Sequence, residues 1–376
     1  MSLSDDIKSL GYESGFHAVG ITGADPFDLS YEAIVDRLDK GLLEGTGYTR
    51  DIAHLYTHPA ESLPSARSII PVALSYLTED MELSSQGDGP RGWIARFSRG
   101  LDYHEEIDKR LSVFADSIHS KLGICAEIRS FADTGTIADR SAAIRAGIGS
   151  RGKNTCIYAG EYRSWVILGE LITDIELQPD NPAALDICGE CDKCMKACPT
   201  GAICAPYVVN TGICLSQVTQ SKGFIPHWLR KKMGNRIYGC DTCQSACPLN
   251  KDAIPGNIDW FRPSSGLGKD PELLPLLNMN AAEFRSRVVP TTAGWIRRNR
   301  IRRNTAIALG NIADPVAVPE LTEALADAEP VIRGHAAWAL GEIGTPQARY
   351  SLESAFSKEI DPIVADEIRN ALNSGG

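Results

Sequence analysis

Hydrophobic and polar positions recur with strand-like and helix-like periods along the first half of the chain. Four runs rich in β-branched and aliphatic residues predict strands: HAVGITG from His17, SIIPVALSYL from Ser68, ICAEIRSF from Ile124 and SWVILGELI from Ser164. Between the second and third runs, apolar residues recur at helical steps, at Leu101, Ile107, Leu111, Phe114, Ile118 and Leu122. This stripe predicts an amphipathic helix, and the mixture predicts an α/β or α+β domain over residues 1–181.

Residues 182–259 show little periodicity and contain most of the eleven cysteines of the chain. A segment of this kind has too small a hydrophobic core to fold alone, so a metal centre is expected to stabilise it. We therefore predict a separate metal-binding domain here.

The last segment, residues 260–376, contains an internal repeat. RNRIRRNTAIALGN from Arg298, EPVIRGHAAWALGE from Glu329 and DPIVADEIRNALNS from Asp361 agree at their aliphatic and Ala-Leu positions, with offsets of 31 and 32 residues. This period is typical of the HEAT-type two-helix unit, whose stacked helices bury one shared face and bind a long partner. The alternative is a coincidence of amphipathic Ala-Leu helices.

The composition is that of an ordinary folded protein, with 43% hydrophobic and 23% charged residues. The longest apolar run, around SIIPVALSYL, is about half of the roughly 20 residues that cross a bilayer. The first residues, MSLSDDIKSLGY, contain neither a basic n-region nor a twin arginine, so we expect a cytoplasmic protein without membrane contact. In that reducing compartment, clustered cysteines favour metal binding over disulfides.

The cysteine spacing indicates iron–sulfur clusters. The run C-x2-C-x2-C-x3-C-P, typical of bacterial ferredoxins, occurs at Cys188, Cys191, Cys194 and Cys198. In two-cluster proteins the last cysteine of such a run binds the other cluster, so partner cysteines must exist. They occur at Cys214, Cys240, Cys243 and Cys247.

This count predicts two [4Fe-4S] clusters with interlocked ligands. One cluster would bind Cys188, Cys191, Cys194 and Cys247, and the other would bind Cys198, Cys214, Cys240 and Cys243. The alternative, a zinc site, would use two paired CxxC units. Cys125, Cys156 and Cys204 fall outside the pattern and are expected to be small buried residues.

The charge pattern suggests a docking surface for an anion. The net charge is −10, yet the stretch from Arg285 to Arg303 contains seven arginines and no acidic residue. On an acidic protein such a patch suits nucleic acid, and Lys222 lies in a second basic stretch. A solvated helical face is the alternative interpretation of the charge alone.

Candidate chemistry in the first segment centres on RSFADTGTIADRSAAIRAGIGSRGKNTCI. Asp133 follows a predicted strand end, where its carboxyl group could act as a general acid; alternatively, it caps the following helix. The backbone of Lys153, Asn154 and Thr155 could donate hydrogen bonds to a bulky cofactor. Asp102 and His104 lie at the start of the predicted helix. The alternative to a functional role is that Asp102 caps the helix and His104 is a structural histidine.

Together, these residues resemble the epoxyqueuosine reductase family, the cobalamin-dependent enzymes of tRNA modification. The resemblance covers nearly the whole chain and rests on LPSARSIIPVALSY, RGLDYH, FADTGTIADR, GKNT, YRSWVILGELITD, CGECDKCMKACPTGAI, GNRIYGCDTCQSACPLNK and the helical repeats. It implies an α+β, reductive-dehalogenase-like cobalamin-binding domain, a bacterial-ferredoxin-like two-cluster domain and a HEAT-like domain that docks tRNA. It differs from the family pattern at Ser150-Arg151, where Trp-Ile is common, and at Thr134-Gly135-Thr136, where Ser-x-Pro is common.

The resemblance also implies a reaction, the reduction of epoxyqueuosine to queuosine at the wobble position of tRNA, the last step of queuosine biosynthesis. Electrons would pass through the two clusters to give cob(I)alamin, and Asp133 would donate the proton. The cobalamin contacts implied are Asp133, Lys153, Asn154, Thr155, Ile157 and Tyr158. The tRNA contacts expected are Lys222, Arg297, Arg298, Arg300, Arg302 and Arg303.

The implied partners are a tRNA with a GUN anticodon and a low-potential electron donor such as ferredoxin or flavodoxin, and we expect a monomer. Two other functions stay open from the sequence. One is a reductive-dehalogenase-like corrinoid enzyme acting on a small substrate. The other is a non-enzymatic two-cluster electron carrier, which would leave the first domain without a role.

Overall fold

The structure is a computed structural model that describes residues 2–84, 87–133 and 135–374. Thr134, one of the positions that differ from the family pattern, lies outside the described residues. The strands of the described chain are β1 (Ala18–Val19), β2 (Thr22–Gly23), β3 (Ser68–Ser75), β4 (Trp93–Ile94), β5 (Ile128–Ala132), β6 (Ser150–Arg151), β7 (Ile157–Tyr158), β8 (Val166–Thr173), β9 (Ile203–Ala205), β10 (Val208–Val209) and β11 (Arg236–Tyr238).

The helices of the same residues are mostly short in the first half and longer toward the end of the chain. They are α1 (Leu3–Glu13), α2 (Asp28–Asp39), α3 (Arg50–Thr57), α4 (Pro59–Ser62), α5 (Tyr103–Leu122), α6 (Asp139–Arg145), α7 (Lys193–Ala197), α8 (Leu215–Gln220), α9 (His227–Met233), α10 (Thr242–Ser245), α11 (Leu273–Leu277), α12 (Ala281–Arg287), α13 (Arg298–Ile312), α14 (Val318–Ala324), α15 (Pro330–Ile343), α16 (Pro346–Phe356) and α17 (Pro362–Ser374). Among these described helices, none combines the length and the apolar character needed to span a membrane.

The chain divides into two compact units, each assembled from three separate stretches. The first comprises Met1–Glu79, Asp102–Cys214 and Thr242–Phe261, and the second comprises the remaining stretches, Asp80–Leu101, Leu215–Asp241 and Arg262–Gly376. The predicted segments 1–181, 182–259 and 260–376 are separated where the character of the sequence changes. As domain boundaries they stay a prediction.

The first unit is built on a five-stranded antiparallel sheet, in which β1 and β2 both pair with β3, followed by β8 and then β5. All four predicted strand regions contribute to it, so the strand prediction is confirmed. Helix α5 covers one face, and its predicted stripe is buried from Ile107 to Ile118, while Leu101 precedes the helix and Leu122 is half-buried. A side chain at Gly169 of β8 would come within 3.0 Å of Ile107 and 3.3 Å of Leu111, so glycine allows this close approach.

The second unit contains the predicted helical repeat. Helices α13, α15 and α17 correspond to the three aligned segments and pack against one another in that order, while α14 and α16 are the second helices of the repeats. Buried aliphatic and alanine side chains fill the shared face, including Ile307, Leu309 and Leu340 at 0% exposure. The repeat prediction is therefore confirmed. The unit also contains the short parallel pair β4 and β11.

Candidate catalytic centre and cluster site

Asp133 lies immediately beyond the end of β5, in the first unit. The β5–β8 register pairs Phe131 with Glu170 and Ala132 with Gly169, and Asp133 then leaves the sheet with a left-handed φ of 55°. Its side chain is 54% exposed. The alternative that Asp133 caps the next helix is wrong, because α6 begins at Asp139 and its N-cap residue is Ala138.

The start of α5 brings two further groups to this carboxylate. The Tyr103 hydroxyl donates a hydrogen bond to Oδ2 of Asp133, and Nε2 of His104 lies 3.7 Å from the same oxygen. On the other side, Asp102 caps α5 by accepting from the His104 amide at 3.1 Å, and its carboxylate lies 2.7 Å from the ring Nδ1 of His104. The centre is therefore a row in the order Asp102, His104, Asp133, with Tyr103 beside it.

A general acid works best when its pKa is raised toward neutral, but the contacts of this row act on Asp133 in the opposite direction. Burial acts to raise the pKa of Asp133, but the contact with His104 and the hydrogen bond from Tyr103 outweigh it and lower the pKa below the usual value. The pKa of His104 is raised to about 9, since its contacts with Asp102 and Asp133 outweigh the opposing effect of burial. At neutral pH the proton is held on His104 and Asp133 is a carboxylate.

Two further carboxyl groups lie in the same electrostatic environment. Burial, and then the charge of Asp133, raises the pKa of Asp139, while burial followed by Asp139 and Asp133 raises the pKa of Glu170. Glu170 is 0% exposed. Sequence analysis missed it, although an acidic residue within the apolar strand run SWVILGELI was a usable signal.

The GKNT segment forms the tip of the hairpin made by β6 and β7. Asn154 is buried at 4% exposure; its Nδ2 donates to the Tyr158 hydroxyl at 3.2 Å, and its Oδ1 accepts from the Cys156 amide at 3.3 Å. The Thr155 amide donates to the Gly152 carbonyl at 2.8 Å, and Thr155 has a φ of 67°. These groups already form hydrogen bonds within the hairpin. The GKNT segment would therefore meet a cofactor as a tip whose conformation is fixed.

Lys153 joins the hairpin tip to the cysteine-rich stretch. Its amide donates to Sγ of Cys188 at 3.4 Å, and its side chain donates to the carbonyl of Gly189. Burial, and then the sulfur of Cys247 beside it, raises the pKa of the Tyr158 hydroxyl. Residues predicted to hold cobalamin thus contact two cysteines predicted to hold one cluster.

Several buried polar atoms of the first unit have no hydrogen-bond partner among the described residues. They are Nε of Arg151 and Arg163, Nε2 of His104, Oδ1 of Asp139 and both carboxylate oxygens of Glu170. Such a group costs about 1–3 kcal/mol when its partner is missing. A corrinoid carries amide groups that both donate and accept hydrogen bonds, so this set of atoms fits the cofactor that the resemblance implies.

The cysteine positions agree with a cluster-binding segment. Helix α7, which carries Cys194, packs against α10, which carries Cys243. Burial raises the pKa of the Cys194 thiol to about 11, with further contributions from Cys243, Cys188 and Cys247. Cys198 is different: burial opposes ionisation, but backbone hydrogen bonds from Ile203, Thr200 and Ala202 outweigh it and lower the thiol pKa.

No three His, Cys, Asp or Glu side chains of the described residues converge on a single-ion site. In a [4Fe-4S] cluster each thiolate binds a different iron, so the sulfurs stand farther apart than around one zinc ion. The cluster prediction and the zinc alternative thus require different spacings of the sulfurs.

The three cysteines outside the pattern are not uniformly buried. All eleven cysteines lie within the described residues and none forms a disulfide. Cys125 and Cys204 are exposed and Cys156 is half-buried, so the expectation of small buried residues is wrong. Cys125 lies between α5 and β5, and Cys204 is part of the short hairpin of β9 and β10, neither of which is a core position.

In the second unit, two of the arginines predicted to bind tRNA are buried. Arg302 is 8% exposed and donates to the Leu277 carbonyl and to Asp327, both at 2.6 Å. Arg303 is 1% exposed and donates to backbone carbonyls of the loop after α8. This corrects the prediction for these two side chains, because their donors are used inside the protein. Lys222 and Arg297 are exposed, and Arg298 and Arg300 are half-buried.

Comparison with known proteins gives three matches to family models along the chain. Residues 57–134 match a model described as "Epoxyqueuosine reductase QueG, DUF1730", residues 187–250 match a "4Fe-4S double cluster binding domain", and residues 297–373 match "HEAT repeats". The chain therefore contains a domain of the double-cluster type, as the cysteine spacing predicts.

Full-length relatives agree with these matches. The chain is 40% identical to an epoxyqueuosine reductase of Bacillus subtilis, covering 98% of this chain and 95% of the relative, and 37% identical to that of Listeria monocytogenes, covering 98% and 96%. It is similar to a crystal structure of an epoxyqueuosine reductase with an epoxyqueuosine-modified tRNA stem loop, with a TM-score of 0.93, 38% identity, and coverage of 99% and 98%. A Bacillus subtilis structure with the catalytic aspartate loop swung out of the active site gives a TM-score of 0.92 at 38% identity, and coverage of 99% and 98%. The chain belongs to the epoxyqueuosine reductase family.

Proposed function

We propose that this protein reduces epoxyqueuosine to queuosine at the wobble position of tRNA. The observation that carries the proposal is the hairpin contact between Lys153 and Cys188, because it joins a cluster ligand to the domain that presents Asp133. The reaction consumes two electrons and two protons: both epoxide C–O bonds break, the oxygen leaves as water, and a carbon–carbon double bond forms. The protein must therefore supply electrons and protons at one site.

The electrons are assigned to two [4Fe-4S] clusters with interlocked ligands. One cluster binds Cys188, Cys191, Cys194 and Cys247, and the other binds Cys198, Cys214, Cys240 and Cys243. The packing of α7 on α10 supports the arrangement, since it brings the helix that carries Cys194 against the helix that carries Cys243 in the first unit. A low-potential donor of the ferredoxin or flavodoxin class is the external source.

Cobalamin, when bound and reduced, supplies the strong nucleophile or reductant that acts on the epoxide carbon. The residues that would hold it are Asp133, the GKNT tip and the following Ile157 and Tyr158, together with the unpartnered polar atoms of Arg151 and Glu170. The hairpin is fixed by its own hydrogen bonds, so it offers a preformed wall. This preorganisation limits the ordering cost of binding.

The proton path runs along the row at the start of α5. His104 holds a proton at neutral pH, and Asp102 orients its ring through Nδ1. Asp133 is more exposed than His104, at 54% against 27%, and Tyr103 donates to its Oδ2. Asp133 therefore acts as a relay that passes the proton of His104 to the epoxide oxygen, and His104 takes up each of the two protons from solvent, so Asp133 is not a permanently protonated acid.

The tRNA is held by basic residues of the second unit that are exposed or half-buried, namely Lys222, Arg297, Arg298 and Arg300. The substrate is a tRNA with a GUN anticodon, whose wobble base must leave the stack to enter a pocket. We expect the enzyme to act in the cytoplasm as a monomer.

The test is conversion of a defined substrate. Reduced protein is incubated with an anticodon stem loop containing epoxyqueuosine, and the nucleosides are analysed by mass spectrometry. The proposal predicts queuosine, and an unchanged nucleoside in the presence of both clusters and a bound corrinoid would contradict it. The electron-carrier alternative predicts protein without a corrinoid absorption band, and the dehalogenase alternative predicts turnover of a small organohalide instead of the stem loop.

A further inference from the structure

Trp295 is a large aromatic side chain held rigidly on the surface of the second unit. It is 60% exposed, although its neighbours Ala293 and Ile296 in the 3₁₀ turn Thr292–Ile296 are 0% exposed and anchor that turn. Its indole Nε1 donates to the hydroxyl of Tyr238 at 2.8 Å, and Tyr238 is 1% exposed. The edge of the ring is thus fixed to the interior while the rest remains open to solvent.

One cationic group lies over this ring, and another follows it closely in the sequence. The Arg300 guanidinium lies 5.8 Å from the centroid of the Trp295 ring and donates to the Gln220 carbonyl at 3.0 Å. The exposed Arg297 lies two residues beyond Trp295. An indole ring attracts cations, so this neighbourhood concentrates positive charge beside an apolar surface.

Two buried residues, Arg303 and Asn304, form hydrogen bonds with the loop that follows α8. Arg303 donates to the carbonyls of Ser221 and Gly223 at 2.7 and 2.9 Å, and Asn304 donates to the Thr219 carbonyl at 2.8 Å. These bonds hold the loop that presents the exposed Lys222. Arg303 and Asn304 therefore fix the loop that carries Lys222, even though their own donors are used inside the protein.

A fixed aromatic ring among cationic side chains is the arrangement that proteins use to bind single-stranded nucleic acid. Each base has a π-face that stacks on the ring, while lysine and arginine neutralise the adjacent phosphates. A free aromatic surface alone would also suit a protein partner. The surrounding positive charge on a protein of net charge −10 favours a polyanion instead.

We propose that Trp295 is the stacking platform for an unpaired base of the tRNA anticodon loop. The inference rests on the proposed function, because it names the contact by which the second unit holds that substrate. Lys222, Arg297 and Arg300 bind the flanking phosphates, and the ring adds contact that does not depend on base identity.

Binding of a fluorescein-labelled anticodon stem loop, measured by anisotropy at several salt concentrations, tests the assignment. Trp295→Ala is expected to weaken binding about tenfold or more, the loss expected for one stacked base. The dependence of Kd on salt should stay unchanged, because no charge is removed. Trp295→Phe should recover most of the affinity, since it keeps an aromatic face.

Trp228→Ala is the matched control, because Trp228 is 52% exposed in the same unit on α9. It should bind like the wild type. Unchanged melting temperature and iron content in all variants would exclude unfolding as the cause of the loss.

Wild-type affinity in Trp295→Ala would overturn the platform, and so would an equal loss in Trp228→Ala. A second result would also overturn it: Trp295→Ala binds the stem loop normally and loses turnover only when a protein electron donor replaces a chemical reductant. That result would assign the ring to binding of the electron donor. If the wild type itself fails to bind or convert the stem loop, the proposed function fails. These two failures are therefore distinguishable.

Discussion

Asp133 and His104 are 29 positions apart in sequence, yet Nε2 of His104 lies 3.7 Å from Oδ2 of Asp133. The end of β5 and the start of α5 meet there because α5 packs on the face of the sheet that contains Gly169, where no side chain separates helix from strand. These contacts set the direction of both pKa shifts. The two carboxylates beside His104 raise its pKa, while the His104 cation and the Tyr103 hydroxyl lower the pKa of Asp133. In the proposed function, the functional unit is therefore this row of residues and not a single acid.

This assignment predicts a pH dependence. The pKa of His104 is raised to about 9, so its imidazolium is present below that pH and is lost as the pH rises through it. Turnover of the wild type should therefore fall above about pH 9, and His104→Gln should lose about a hundredfold in rate and lack that limb. Initial rates of queuosine formation between about pH 6 and pH 10 measure both effects.

The control for this series is His119→Gln, because His119 lies near the other end of α5 and is exposed. Its pH profile should match that of the wild type. A falling limb that survives in His104→Gln would assign the titration to another group.

At the scale of elements, the helical repeats are the part that the sequence predicts most completely. A repeat gives several copies of one pattern, and the Ala-Leu pairs of α13 and α15 are buried, while in α17 Ala371 is buried and Leu372 is half-buried. The glycines of ALGN and ALGE have a structural reason: a side chain at Gly310 would come within 2.8 Å of Cα of Ala339, and one at Gly341 within 2.9 Å of Cα of Ala371. The helices therefore approach closely at equivalent positions.

Gly341→Ala tests this close packing. Alanine normally stabilises a helix relative to glycine, yet here its methyl group would meet the backbone of α17, so we expect a loss of about 1–3 kcal/mol. Denaturant unfolding gives the free energy directly. Gly89→Ala is the control, because a methyl group there would meet nothing within 4 Å. Equal stability of Gly341→Ala and the wild type would show that the helices can separate at little cost.

The elements also show where prediction from sequence stops. The strands and α5 follow from periodicity, and the interlocked cysteine runs follow from spacing. The burial of Arg302 and Arg303 could not be predicted, because a charged residue in a helical run reveals its partners only after folding. Glu170 differs, because an acidic residue within an apolar strand run is visible in the sequence, although its missing hydrogen-bond partners are known only from the structure.

Across the whole molecule, the two assigned clusters take their ligands from cysteines that are far apart in the sequence. The assigned ligands extend from Cys188 to Cys247, and the double-cluster family model spans residues 187–250. In the proposed interlocked arrangement, each cluster takes thiolates from both cysteine runs. Loss of one thiolate should then affect one cluster most, whereas loss of a whole run should affect both. With two independent sites, loss of one run would affect only its own cluster.

Cys214→Ala measures the ligand count. The variant should retain about four irons per chain instead of about eight and should lose turnover, because one cluster lacks a thiolate. Iron analysis and electron paramagnetic resonance of the reduced protein provide the readout. Cys125→Ala, at an exposed position outside the pattern, should retain the full iron content. Full iron content in Cys214→Ala would refute the assignment of this ligand.

The most direct test of the central claim is a single-turnover comparison of the wild type with Asp133→Asn. Both proteins are loaded with cobalamin and reduced to the same extent, then mixed with a stem loop that contains epoxyqueuosine, and the nucleosides are separated after quenching. The account predicts queuosine from the wild type and a rate about a hundredfold to ten-thousandfold lower in the variant, with both cofactors retained. Queuosine formation at the wild-type rate by Asp133→Asn would contradict it.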